Sequence, residues 1–138
     1  MLALALVAAG CGADAGGDDV DTQEPAAQAT ELEITVWPEG EGVGEPLEYT
    51  LRCHPPGGGH PDPVAACEAL GELGASAFDP VPPDVMCTQQ YGGPQQAHVR
   101  GTVDGTPVDA RLAYTDGCEI DRWNRLSAVV PGAEGALR

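Results

Sequence analysis

The 138-residue chain contains no lysine. Its six basic side chains are all arginine, against 22 acidic ones, for a formal net charge of −16. A surface of that sign repels phosphate backbones, so nucleic acid is not an expected partner. Aromatic residues are also scarce: two Trp, three Tyr and one Phe stand beside 19 Gly and 13 Pro. So little bulky apolar material builds only a small core, and covalent crosslinks gain importance. Enzyme signatures are missing. Ser76 and Ser127 sit in no G-x-S-x-G frame, and no H-E-x-x-H occurs. His54 and His60 flank a Pro/Gly loop beside Cys53, but their spacing matches no common zinc pattern. The chain is therefore expected to be no enzyme, and to use neither a metal nor a cofactor.

The length allows one domain plus an appendage. Residues 1–10 are apolar or small. They are too few to span a bilayer, which needs about 20, and read instead as the core of a signal peptide. No basic residue precedes them, which fits a start that lies further upstream. Val7-Ala8-Ala9-Gly10-Cys11 looks like a bacterial lipobox, in which Cys11 receives a lipid. The alternative is plain secretion. Either way the protein is expected to be exported, as a cell-surface lipoprotein or a secreted protein. Residues 11–30 hold almost nothing to bury and many carboxylates, as a disordered tether would. Between Asp14 and Glu48 there are eleven carboxylates and no base.

A folded domain is expected over residues 31–131, followed by a loose tail over 132–138. Glu31 to Trp37 and Leu47 to Cys53 alternate polar and apolar residues, the pattern of strands with one buried face. Gln95 to Val103 and Val108 to Tyr114 alternate likewise, with Asp104-Gly105 between them as a hairpin turn. Leu126 to Val130 reads as a last strand. Asp62 and Pro63 form a helix start, a capping side chain followed by a proline at the first helical position. Val64, Cys67, Leu70 and Leu73 are expected on one face of that helix. Cys118 to Asn124 reads as a short helix. The sum is an α+β domain: an antiparallel sheet of about five strands, one main helix and one short one. Of the five cysteines, a lipidated Cys11 leaves four, and four allow three pairings.

The stretch from Val85 to Pro94 carries no helical or alternating period. Pro82 and Pro83 restrict the backbone on the approach and Pro94 on the exit. By its own chemistry it reads as an exposed loop, and an ordinary linker between strands fits it as well. Its setting adds more. The chain resembles the subtilisin inhibitor-like family of secreted serine-protease inhibitors from about Leu32 to about Val130. The marks are Leu51-Arg52-Cys53, His60-Pro61, Ala65-Ala66-Cys67, Val85-Met86-Cys87-Thr88, Tyr91, Pro94 and Cys118-Glu119.

That resemblance implies disulfides Cys53–Cys67 and Cys87–Cys118. It implies a reactive-site loop of Met86, Cys87, Thr88, Gln89, Gln90 and Tyr91, with Gln89-Gln90 as the reactive bond. It further implies a subtilisin-like serine protease as partner and a possible homodimer. The function so implied is tight, reversible, substrate-like inhibition by an exported protein, and the lipobox reading would tether it through Cys11 at the membrane. The alternative is a non-inhibitory, surface-anchored binding module on the same fold. The chain departs from the family pattern twice. Gln89 stands where the family usually has Met, Lys or Arg. Gly92-Gly93 stands where it often has one residue, and the second glycine is expected to loosen the far side of the loop.

Overall fold

The computed structural model describes residues 29–132. The signal peptide, Cys11 and nearly all of the tether and tail lie outside the described residues. Strand β1 (Thr30–Trp37) is followed by β2 (Leu47–Cys53), helix α1 (Pro63–Leu73) and a 3-10 turn (Ala75–Phe78). The long loop then leads to β3 (Gln96–Val103), β4 (Thr106–Ala113) and helix α2 (Gly117–Arg125). The strands form one antiparallel sheet in the order β2-β1-β3-β4. Among the described residues no helix is long and apolar enough to cross a membrane.

The alternation read from the sequence decides which face is buried. Leu32, Ile34 and Val36 of β1 point into the core with Leu51, Ala97, Val99, Val108, Ala110 and Leu112. Their neighbours Glu31, Glu33, Arg100, Asp109 and Arg111 are exposed on the opposite, solvated face. There His98 and Asp109 meet at 2.6 Å. The β3–β4 hairpin turns at Asp104 and Gly105, with φ of 48° and 81°. A two-residue turn between twisted strands needs positive φ at both positions. Thr30 is buried at the start of β1. It is held there by the Asp104 N–H donating to Thr30 Oγ1 at 2.9 Å.

Helix α1 begins as its sequence dictates. Asp62 accepts from the Ala65 N–H at 3.2 Å, and Pro63 takes the first helical position. Its buried face differs from the expected one. Ala66 and Leu70 turn to the core, whereas Val64 lies 56% exposed. A three-residue step falls about 60° short of a full helical turn, so after two steps Val64 stands well off the face that Leu70 occupies.

The sheet has four strands among the described residues, not five. Leu126 to Val130, expected as a strand, instead continues α2 as a series of turns. Val129 and Val130 N–H groups both donate to the Leu126 carbonyl, at 2.9 and 2.8 Å. The three-residue step from Trp123 to Leu126 to Val129, all fully buried, suits helical turns rather than alternation. The Trp123 indole N–H ties the segment back by donating to the Val130 carbonyl at 3.1 Å. His60 ties it to the start of α1: its Nδ1 accepts from the Asp62 N–H at 2.9 Å, and its Nε2 donates to the Val129 carbonyl at 2.8 Å.

Candidate functional site

The loop between the 3-10 turn and β3 has neither helix nor strand from Met86 to Gln95. Proline dictates its entry. The Val85 N–H donates to the Pro82 carbonyl at 3.2 Å, closing a turn around Pro83 and Asp84. The chain then runs outward. Met86 is 94% exposed and Tyr91 66%, and Thr88, Gln89 and Gln90 between them are exposed too. Cys87 alone of this group is half-buried.

Three attachments hold this exposed segment. Cys87 is bonded to Cys118 at the start of α2. The Thr88 carbonyl accepts from the Gly117 N–H at 3.1 Å. On the far side the Gly92 N–H donates to the Tyr114 carbonyl at 2.8 Å. The first amides of a helix have no acceptor within it, so the Gly117 N–H is available to the loop. Asp116 caps α2 by accepting from the Glu119 N–H at 3.0 Å, which fixes the turn that aims Gly117. Tyr114 is itself immobilised. Its ring meets Trp123 edge-on at 5.4 Å, and its hydroxyl donates to the Asn124 carboxamide oxygen. The Gln89-Gln90 bond thus lies in an exposed segment attached at Cys87 and Thr88 before it and at Gly92 after it.

The exit of the loop passes close to its supports at both glycines. A Cβ on Gly92 would lie 2.6 Å from Tyr114 Cδ1 and 3.0 Å from Ile120 Cδ1, so the backbone is flush against both side chains. Gly93 has φ of 142° and passes over the fully buried Gln95 side chain, where a Cβ would meet its Oε1 at 2.2 Å. Both positions require glycine for close approach, and the second also for its φ.

Cys53 is bonded to Cys67, which pins the end of β2 to the middle of α1 on the opposite side of the domain. Cys87, Cys118 and Asp116 cluster closely enough to suggest a metal site. The two sulfurs are joined to each other, however, and offer no thiolate to an ion. The supports of the loop, Tyr114, Gly117, Ile120 and Asn124, are absent from the residues expected at the site. Thr115-Asp116-Gly117 was visible in the sequence as a turn, but nothing local shows that its amide faces a loop 29 residues earlier.

A small crosslinked domain that offers an exposed loop held on both flanks has the layout of a protease-inhibitor scaffold. The chain belongs to the subtilisin inhibitor-like family, whose pattern matches residues 28–116. It is 38% identical over 77 residues to subtilisin inhibitor-like protein 1 of Streptomyces cacaoi, an overlap covering 53% of this chain and 69% of that one. Among solved structures it is similar to Streptomyces caespitosus sermetstatin, crystallised in complex with Bacillus licheniformis subtilisin. That likeness has a TM-score of 0.47 and 25% identity, and covers 75% of this chain and 98% of the other.

Proposed function

We propose that the protein is a substrate-like inhibitor of subtilisin-like serine proteases and that Gln89-Gln90 is its reactive bond. The observation that carries this reading is the bracketing of that bond. Thr88 and Gly92 are each held by a backbone hydrogen bond to the region Tyr114–Gly117, and Cys87 is bonded to Cys118. Membership of the family supports it.

A protease binds an extended segment and attacks the carbonyl of the residue before the cleaved bond. A segment already held in that shape loses little ordering entropy on binding. If the bond is cut, the new amino group of Gln90 stays near the acyl-enzyme, because Gly92 holds its side of the loop to Tyr114. Resealing then competes with hydrolysis. Interfaces of this type bury roughly 1,600 Å² in total, counted over both partners.

Gln89 sets the target class. Its neutral amide has no cation for the aspartate of a trypsin-like pocket. It suits a broad pocket that tolerates two methylenes and an amide. Cys11 as a lipid anchor, with the acidic stretch as a spacer, would put this loop at the cell surface. Replacing Cys11 with Ser should then release the protein into the medium. Pairing of two copies belongs to the same reading and is checked by sedimentation.

The test of inhibition is a titration of subtilisin activity with the full chain. A linear fall to zero at one inhibitor per enzyme is expected. Undiminished activity at excess protein would contradict it: a chain cut after Gln89 would be only a substrate, and an uncut chain a non-inhibitory binding module.

A further inference from the structure

We propose that Arg122 is a positioning residue for the Gln89-Gln90 loop, because one buried guanidinium joins the three segments from which the loop is hung. This deepens, and rests on, the inhibitory reading above. Arg122 lies on α2 one turn beyond Cys118, with its side chain only 6% exposed. Its Nη2 donates to the Phe78 carbonyl at 2.6 Å. Its Nη1 donates to the Arg111 carbonyl at 2.8 Å and faces the Glu119 carboxylate at 3.3 Å.

Each acceptor belongs to a different support. Phe78 ends the 3-10 turn and begins the proline-rich approach to Val85. Arg111 lies on β4, three residues before Tyr114, whose carbonyl holds Gly92. Glu119 follows Cys118, the anchor of Cys87. A groove of about 360 Å³ separates the approach from α2, and Arg122 lines it together with Pro80, Pro82, Val85 and Cys118. The guanidinium therefore acts where the entry to the loop and its disulfide anchor come together.

A buried cation is weak evidence for stability, since an apolar side chain of similar volume can hold a helix to a sheet as well. The guanidinium adds direction. Its donors are planar and fixed in their angles, so they set where Phe78, β4 and α2 lie relative to one another. An ammonium is a compact point charge and cannot reproduce that fork. The chain spends one of its six basic residues in this position, although its surface carries a large acidic excess.

The test uses the full, oxidised chain and compares it with Arg122→Lys and Arg122→Gln. Three quantities are read: the inhibition constant against subtilisin, the rate of cleavage at Gln89-Gln90, and amide hydrogen exchange. Exchange at Gly92 and Gly117 reports the loop supports, and exchange at Ile34 and Val99 reports the sheet. The expected result is an inhibition constant raised about tenfold or more, the loss of at least one good hydrogen bond to a charged group. Cleavage is expected to accelerate. Gly92 and Gly117 should exchange faster while Ile34 and Val99 stay unchanged.

Unchanged exchange at Gly92 and Gly117 would overturn the proposal. So would uniform acceleration that includes Val99, or failure of both variants to fold, since each assigns Arg122 to the fold at large. The native chain is assayed first. Should it not inhibit, the inhibitory reading falls, while exchange at Gly92 and Gly117 still decides whether Arg122 holds the loop.

Discussion

The Thr88 carbonyl accepts the Gly117 N–H at 3.1 Å, which joins the residue just before Gln89 to the first turn of α2. The two residues approach so closely that a Cβ on Gly117 would lie 2.0 Å from Thr88 Oγ1 and 3.3 Å from Thr88 Cβ. The fit of the loop to the domain is therefore steric as well as hydrogen-bonded, and it can be tested from either side.

Gly117→Ala should push Thr88 away and weaken inhibition of subtilisin about tenfold, the scale of a modest overpacking. In a Thr88→Ala background the same change should cost much less, because the hydroxyl that clashes is gone. The inhibition constants of the two single variants and the double variant form a cycle that measures this coupling. Additive losses would mean that Gly117 acts elsewhere.

Gln89→Lys should add trypsin as a target. The new ammonium can pair with the buried aspartate of a trypsin-like pocket. A desolvated pair of that type changes affinity by roughly 2–5 kcal/mol, so trypsin inhibition should rise at least about thirtyfold. Subtilisin should still be inhibited. Trypsin activity that stays untouched would place the specificity residue at another position of the loop.

The two disulfides should separate stability from inhibition. Their cysteines are 14 and 31 residues apart. In the chain-entropy model each closure stabilises the fold by roughly 3–4 kcal/mol. Replacing either pair by serines should lower the denaturation midpoint. Loss of Cys87–Cys118 should also turn the loop into a substrate that is cut and released. Loss of Cys53–Cys67 should leave inhibition intact at temperatures where the domain stays folded. Equal loss of inhibition in both variants would argue that the second bridge has no special hold on the loop.

The outer face of the sheet should respond to acid through Asp109. A hydrogen bond from His98 holds the Asp109 carboxyl below its ordinary value, with smaller help from the charges of His98, Arg100 and Arg111. A carboxyl whose pKa is lowered by folding stabilises the fold above its unfolded pKa, near 3.9. That contribution is lost as the pH falls through the lower, folded value. Replacing His98 with Asn should return the Asp109 carboxyl toward its ordinary value, read by carbon NMR of the carboxyl group. No movement would show that the contact at 2.6 Å does not govern it.

Much of the fold was legible in the sequence because strand alternation and helix capping are local. Leu32, Ile34 and Val36 announced a buried face, and Asp62-Pro63 announced the start of α1. Leu126 to Val130 misled because a short apolar run fits a strand or buried helical turns equally well. Its bonds to Trp123 and His60 decide the matter, and both depend on the tertiary fold. The loop was visible through its prolines and its missing period. Its supports were not. The pairing of Tyr114 with Gly92 and of Gly117 with Thr88 spans more than 20 residues and leaves no local trace. The close packing of Gly92 against Tyr114 and Ile120 left no local trace either.

The most direct test of the central claim is intact mass over hours for the chain held with a catalytic amount of subtilisin. The account predicts an uncut chain, or a slow approach to a stable mixture of intact chain and chain cut only at Gln89-Gln90. The two pieces of the cut chain should stay joined through Cys87–Cys118, and both the intact and the cut form should inhibit. Rapid, complete cleavage at that bond with enzyme activity restored would contradict it, and would make the loop a substrate rather than an inhibitor.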